Sequence, residues 1–439
     1  MSNRTLQLQI DGMTSEGQGI GRLGRDVYFV PGSLHGEKVT VALEGRRKKV
    51  WQTRLISVDE ASPQRTDPAC PHYRRCGGCD LQHLEYPAQV EFKQQRIERE
   101  FYRQKLEVPV WKSALTDHPW HYRRKARLGI RYSKDKDEIY VGFREGRSEH
   151  LTNIDRCPVL PELDVLDWKQ WRELISRLDS RSKLTQVEVV SADNGMALVL
   201  RSLSALSETD ARCLIDWVAE LDSESGVRLQ LWVREGKEPQ DRLLYPEDAE
   251  PLHHHVLDMP LQIQLSDFFQ INGAVNRAMV TQALEWLKPD SDSVVWDLFA
   301  GHGNFSMPLA TRTRRVIAIE GQHSMVASLK RQAESLALPL QAIRTDLSDA
   351  DALSALPDPD VVLLDPPRAG AAEVVKHLIT RQVKRVLYVS CDPATLARDL
   401  RTLVDGGYFI EQAGMMDMFP QTHHVETMVL LSRPEKRRG

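Results

Sequence analysis

Cysteine is scarce in this chain, six residues in 439, and Cys70, Cys76, Cys79, Cys157, Cys213 and Cys391 are too unevenly spread to staple a disulfide scaffold. No run of about 18 apolar residues occurs, so no membrane-spanning helix is expected. The opening Met1-Ser2-Asn3-Arg4 lacks the apolar core of a secretory signal, and the expectation is a soluble, cytoplasmic protein with no membrane partner. Internal repeats and long low-complexity tracts are missing. So is a global excess of positive charge: the formal net charge of −4 argues against a uniformly basic nucleic-acid binder. That average hides an asymmetry, because residues 61–134 hold 15 Lys or Arg against 8 Asp or Glu, and the rest of the chain is correspondingly acidic. A polyanion would meet the N-terminal third.

The length suggests two to three domains, and the pattern divides the chain at 1–61, 62–265 and 266–439. In the first region short β-like runs (Leu6 to Ile10, Val27 to Val30, Lys38 to Leu43) alternate with turn glycines, which predicts a small OB-like barrel. Arg46-Arg47-Lys48-Lys49-Val50-Trp51 sets cations beside an aromatic, a pairing suited to phosphates and bases. The middle region reads as α+β, with a charged helix over Glu91 to Leu106 and a hairpin turning at Asp193-Asn194-Gly195. His253-His254-His255 lacks helical spacing and an acidic companion, and reads as a polar loop rather than a metal site. In the last third strands and helices alternate as in a Rossmann-like doubly wound sheet. Its strands are expected at Ser293–Leu298, Arg315–Ile319, Leu340–Arg344, Asp360–Leu364 and Lys384–Ser390, and a final hairpin (Tyr408–Glu411, Thr427–Ser432) at one edge.

Ligands bind at the carboxyl edge of such a sheet, and chemistry-bearing residues collect there. Asp297 precedes a glycine-bearing turn, Ala300-Gly301-His302-Gly303-Asn304, in which Ser306 replaces the third glycine of a dinucleotide fingerprint. A carboxylate there suits an ammonium better than a pyrophosphate, which favours S-adenosylmethionine over NAD. Glu320 follows the second strand, where it can accept from both ribose hydroxyls, Asp346 follows the third and can meet an adenine, and Asp365 ends the fourth. Cys391 ends the fifth strand at the start of a helix, whose N-terminus favours a thiolate. Glu426 immediately precedes the returning strand, on the same side.

These residues resemble the RNA uracil-C5 methyltransferases. The likeness spans about Asp267 to Arg433 through Phe268-Phe269-Gln270-Ile271-Asn272, Asp297-Leu298-Phe299-Ala300-Gly301, Leu364-Asp365-Pro366-Pro367-Arg368-Ala369-Gly370, Ser390-Cys391-Asp392-Pro393-Ala394-Thr395 and His424-Val425-Glu426-Thr427. The resemblance implies a class I methyltransferase fold. Gln270, Phe299, Asn304, Glu320, Asp346 and Asp365 would bind S-adenosylmethionine, Cys391 would be the nucleophile and Glu426 the base; the family often has Asn where Asp346 stands. Glu16-Gly17-Gln18-Gly19-Ile20-Gly21-Arg22 and Phe29-Val30-Pro31-Gly32 resemble the TRAM domain, an RNA-binding barrel. Cys70, Cys76, Cys79 and Cys157 resemble the family's [4Fe-4S] ligands, although by spacing alone four thiolates suit zinc or iron and sulfur, with 77 residues between Cys79 and Cys157 long for a zinc ribbon.

Carrying both features is similar to the branch acting on 23S ribosomal RNA rather than the branch acting on tRNA. The implied reaction is C5-methylation of a uridine, of the m5U1939 type, through a covalent bond from Cys391 to C6. A flipped base and a monomeric enzyme are expected, with Trp120-His121-Tyr122-Arg123-Arg124-Lys125-Ala126-Arg127 against the RNA. The alternatives are a methyltransferase for tRNA, for another rRNA site or for RNA cytosine, and a non-catalytic RNA-binding assembly factor.

Overall fold

In the computed structural model, residues 5–146, 148–237 and 240–434 are described. Strands β1 (Thr5–Met13), β2 (Gly19–Leu23), β3 (Asp26–Val30), β4 (Lys38–Arg47) and β5 (Val50–Glu60) close into a barrel in the order β1-β2-β3-β5-β4. Alternation drives the closure: Leu8, Ile10, Tyr28, Val30, Val39 and Val41 point inward while their sequence neighbours are wetter. The barrel rests on the chain that follows it. Leu34 packs with Leu81, Leu84, Ala88 and Phe92, and the fully buried Glu37 pairs with Arg65 at 2.5 Å.

Helix α1 (Tyr86–Arg103) begins with a proline in its first turn and buries Phe92, Ile97 and Phe101 on one side. It starts earlier and ends earlier than its charge pattern suggests. Strand β6 (Trp111–Leu115) follows. A seven-stranded sheet comes next, built from β7 (Lys125–Ser133), β8 (Glu138–Arg144), β9 (Leu151–Asn153), β10 (Leu184–Ala192), β11 (Gly195–Ser202), β12 (Leu229–Glu235) and β13 (Asp241–Tyr245), in the order β13-β12-β11-β10-β7-β8-β9. Helices α2 (Trp168–Ser176) and α3 (Glu208–Ser225) pack on it around Trp168, Trp171 and Leu214. The β10–β11 hairpin turns where Asp193-Asn194 predicts. The three histidines are strand, not loop: β14 (His253–Val256) pairs with β15 (Met259–Gln262). His254 is buried there, its ring 2.7 Å from Arg124, and burial together with that cation pushes its pKa down to about 3.

Helix α4 (Gly273–Leu287), capped by the Asn272 side chain, leads into the doubly wound sheet. Its strands are β16 (Val294–Leu298), β17 (Arg315–Glu320), β18 (Leu340–Arg344), β19 (Val361–Leu364) and β20 (Arg385–Ser390), joined by α5 (Ser306–Ala310), α6 (His323–Ser335), α7 (Ala372–Arg381) and α8 (Pro393–Asp405). The hairpin β21 (Phe409–Met416) and β22 (Glu426–Ser432) completes the order β18-β17-β16-β19-β20-β22-β21-β6. Because the central strands are buried on both faces, β16 and β19 are unbroken apolar runs save for Asp297. One expectation fails here: the hairpin is not at the sheet's edge, because β6 adds in parallel outside β21, pairing Ala413 with Trp111 and Gly414 with Lys112. Among the described residues, no helix is long and apolar enough to cross a membrane.

Candidate active site

Register brings the strand-end residues together. Leu298 lies level with Ile319 and Leu364, so Glu320, the last residue of β17, and Asp365, the first residue past β19, stand one step beyond that level on the two strands flanking β16. Ser390 pairs with Thr427 in the antiparallel rung, which sets Cys391 and Glu426, one step further out, opposite each other. Cys391 is half-buried and Glu426 is 5% exposed. Burial is the first cause of the upward shift at both: the Cys391 thiol is pushed up to about 11 with Glu426 adding to it, and Glu426 lies well above the usual carboxylate range with Asp365 adding to it.

The expected activation of Cys391 by its helix N-terminus is not what the structure provides. The start of α8 is occupied by the Asp392 carboxylate, which accepts from Ala394 N (3.1 Å) and Thr395 N (2.9 Å). The cation that favours the thiolate is Arg368, which hydrogen-bonds the sulfur and also opposes the rise at Glu426. Its guanidinium lies 3.3 Å from His424 Nδ1. Arg368 stood in the quoted motif without a role; the overlooked signal was a cation three residues beyond a strand-end acid.

At the head of β16, Asp297 is fully buried, bonded through one oxygen to the Ser306 hydroxyl, while its Oδ1 has no partner. Burial pushes it up to about 7, and Asp365 also rises to about 7, from burial and then from Asp297. An acceptor orphaned this way at a ligand-binding edge is made for a donor that the chain itself does not provide. Ser306, standing where a third glycine is missing, is thus the partner of Asp297. Glu320 accepts from Gly301 N (3.0 Å) and Gln322 N (2.8 Å), which fixes the glycine loop against the second strand. Phe299, half-buried, opens that loop at φ 65°, a conformation costing a bulky residue about 1–3 kcal/mol and typical of ligand clamps.

The remaining residues are placed less simply. Gln270 and Asn304 line a tight cavity of about 10 Å³ with His254, His302 and Asn276. Asn304 is tied to Asn276 by two reciprocal amide bonds of 2.8 and 2.9 Å. Asp346 is exposed, and its carboxylate closes a local turn onto Ser348 N at 2.9 Å. Trp120 to Arg127, expected against RNA, mostly engages the protein: Tyr122 donates to Pro420 O (2.9 Å), Arg124 pairs with Asp193 (2.7 Å), and Lys125 donates to Leu265 O and Asp267 O (2.8 and 2.7 Å). Only Arg127 of these keeps a largely open cation.

Cys70, Cys76, Cys79 and Cys157 gather into one group. Burial raises Cys79 to about 12 and Cys157 to about 11; Cys157, Cys76 and Cys70 raise Cys79 further, and Cys76 and Cys70 raise Cys157. Backbone amides bond to three of the sulfurs, from His72 and Tyr73 to Cys70, from Gly78 to Cys76, and from Val159 and Leu160 to Cys157; the Gln82 side chain bonds to Cys79. Among the described residues, no three His, Cys, Asp or Glu are arranged to hold a single metal ion. Four thiols, of which Cys79 and Cys157 pack against Tyr122, Val159 and Ile271, have the donor chemistry of a thiolate-ligated zinc or iron–sulfur site.

The sequence pattern of the family described as tRNA (Uracil-5-)-methyltransferase matches residues 85–434, and that of the TRAM domain matches residues 1–50. The chain is 38% identical to the 23S rRNA (uracil(1939)-C(5))-methyltransferase RlmD of Shewanella frigidimarina, covering 97% of this chain and 95% of that one. It is 39% identical to the protein of the same name from Pseudomonas fluorescens strain Pf0-1, covering 97% and 91%. In fold it is similar to the tRNA (uracil-54, C5)-methyltransferase of Pyrococcus abyssi, solved with S-adenosyl-L-homocysteine, at a TM-score of 0.76 and 23% identity over 97% of this chain and 99% of that chain.

Proposed function

Because the chain belongs to the tRNA (uracil-5-)-methyltransferase family, we propose that it methylates C5 of a uridine in 23S ribosomal RNA, at the position numbered 1939 in its bacterial relatives' names, using S-adenosylmethionine. The observation that carries this reading is the opposition of Cys391 and Glu426 across the last rung of β20 and β22. When bound, S-adenosylmethionine supplies an electrophilic methyl carbon. The chain's residues do the rest. Cys391, its thiolate favoured by Arg368, adds to C6 and makes C5 electron-rich; once C5 carries the methyl group, Glu426 takes the C5 proton and the C6–sulfur bond breaks, returning the thiolate. The unpartnered Asp297 Oδ1 suits the cofactor's ammonium and Glu320 its ribose, with Gln270, Phe299, Asn304, Asp346 and Asp365 completing the site.

The work is divided among a TRAM barrel over 1–61, a central region over 62–265 and the methyltransferase domain over 266–439. Arg46 lies over the Trp51 ring at 5.6 Å on the barrel, a surface suited to RNA. The substrate uridine is flipped out of its stack, since a stacked base cannot offer C5 and C6 together. The enzyme acts as a monomer in the cytoplasm. Methylation assays on unmodified 23S fragments, tRNA and cytosine-substituted RNA test the assignment: label should appear at one uridine of the 23S fragment, and label confined to tRNA or to cytosine would overturn it.

Cys70, Cys76, Cys79 and Cys157 hold a [4Fe-4S] cluster, which when bound cross-links segments far apart in sequence. Protein purified without oxygen should contain about four irons per chain; zinc without iron would reject the cluster.

Cofactor affinity should depend on pH. Asp297 and Asp365 titrate at about 7, and Glu320 and Glu426 lie beside them. A cationic ligand favours ionised carboxylates, so affinity should rise from about pH 6 to about pH 8 and then level off, with protons released on binding. Calorimetry in buffers of different ionisation enthalpy reads both effects, and an affinity flat with pH would remove these carboxyls from the cofactor's surroundings.

A further inference from the structure

Glu426 is the first residue of β22, so its direction depends on the loop 417–425 that delivers the chain to it. An irregular loop does not fix itself; its polar groups must be held from outside. Here they are held by the central region. Lys93, fully buried on α1, donates to Asp417 Oδ1 (2.6 Å) and Phe419 O (2.9 Å). Gln89, one turn earlier, forms a two-way bond with Gln421, donating to its side chain and accepting from its backbone N–H, both at 3.0 Å. Arg96 donates to His423 O at 2.7 Å. The segment after Cys79 takes the other side: Asp80 N and Leu81 N donate to Gln421 O (2.9 and 3.0 Å), and the Asp80 carboxylate lies 2.7 Å from His423 Nδ1. Gln421 itself sits at φ 68°, a strained conformation that this set of bonds over-determines.

We infer that Asp80, Gln89 and Arg96 are positioning residues that lock the loop 417–425 and so aim Glu426 at the carbon attacked beside Cys391. The inference rests on the reading of Glu426 as the base. It gives the cysteine-rich segment a task in the reaction: what fixes Cys79 fixes Asp80, and Asp80 fixes the catalytic loop. Cys391 and Arg368 are carried by β20 and by the turn after β19, and the loop reaches them only through the 3.3 Å contact of Arg368 with His424, so addition to C6 depends on the lock less than proton removal does. The larger effect falls on proton removal, where misplacement of a base by about 1 Å costs on the order of 100-fold.

The test uses the full chain with its metal content and unmodified 23S fragments. Asp80→Ala and Gln89→Ala should lower kcat at least about 10-fold, with RNA KM and cofactor affinity kept within about twofold. Both should accumulate a denaturant-resistant protein–RNA adduct that the unaltered enzyme does not, and Asp80→Asn, which keeps an acceptor for His423, should recover much of kcat. A raised KM with normal kcat, or a slowed enzyme without adduct, would overturn the inference, since a role in RNA docking or mere stability produces those. If the unaltered chain does not methylate and Glu426→Gln traps nothing, the proposed function is what fails. If both behave as expected while Asp80→Ala and Gln89→Ala match the unaltered enzyme, the positioning role alone fails.

Discussion

Replacing the nucleophile, Cys391→Ala, is expected to lower methyl transfer by at least about 10⁴-fold while leaving cofactor affinity within about twofold. The reason is chemical rather than structural. Uracil C5 is too weak a nucleophile to be methylated without sulfur at C6, and the charged groups that act on Cys391, namely Glu426, Arg368 and Asp365, include no second thiol. Folding should tolerate the change, because the side chain is half-buried at a strand end. Asp297 and Glu320, proposed to meet the cofactor, sit on other strands and keep their partners. Single-turnover assays with labelled cofactor, beside calorimetric cofactor binding, read the two halves of the expectation. Activity near that of the unaltered chain would remove the nucleophile.

Glu426→Gln should separate the two halves of the reaction. Glutamine matches the shape of glutamate and keeps a polar side chain at a site that is only 5% exposed, so the fold loses little. It cannot accept the C5 proton. Turnover should fall about 10²–10⁴-fold, and the bond from Cys391 to C6, made but no longer released, should accumulate as an adduct that survives denaturing electrophoresis and disappears when Cys391 is also replaced. Normal turnover without adduct would assign the base elsewhere.

Much of the catalytic sheet was legible because parallel strands buried on both faces leave continuous apolar runs, and because each chemical residue stands where such a run ends. Asp297, Glu320, Asp365 and Cys391 are all read correctly as strand-end residues from that rule alone. What the pattern did not carry was anything decided by partners distant in sequence. Trp111–Leu115 is five residues with no distinctive alternation, and it becomes a strand because β21 offers it an open edge. The histidine run looked like a loop because pairing with β15, not propensity, makes it a strand. Helix α4 went unmarked although Asn272 caps it. Activation of Cys391 was assigned to a helix terminus since that is visible locally, whereas Arg368 reaches the thiol from a different strand end and Asp392 takes the helix for itself. The cations of Trp120 to Arg127 looked available because their internal carboxylate and carbonyl partners lie far along the chain.

The strand Trp111–Leu115 also bears on how the molecule is born. A chain leaving the ribosome emits this piece well before its β21 neighbour, so the rim of the sheet stays unsealed until β21 has followed. During that interval the early strand has no mate and the later half has an open rim, the kind of exposed backbone that invites pairing between molecules. The early part of the chain is therefore joined to the later part by backbone pairing as well as by side chains: β6 supplies the seam that closes the rim at β21.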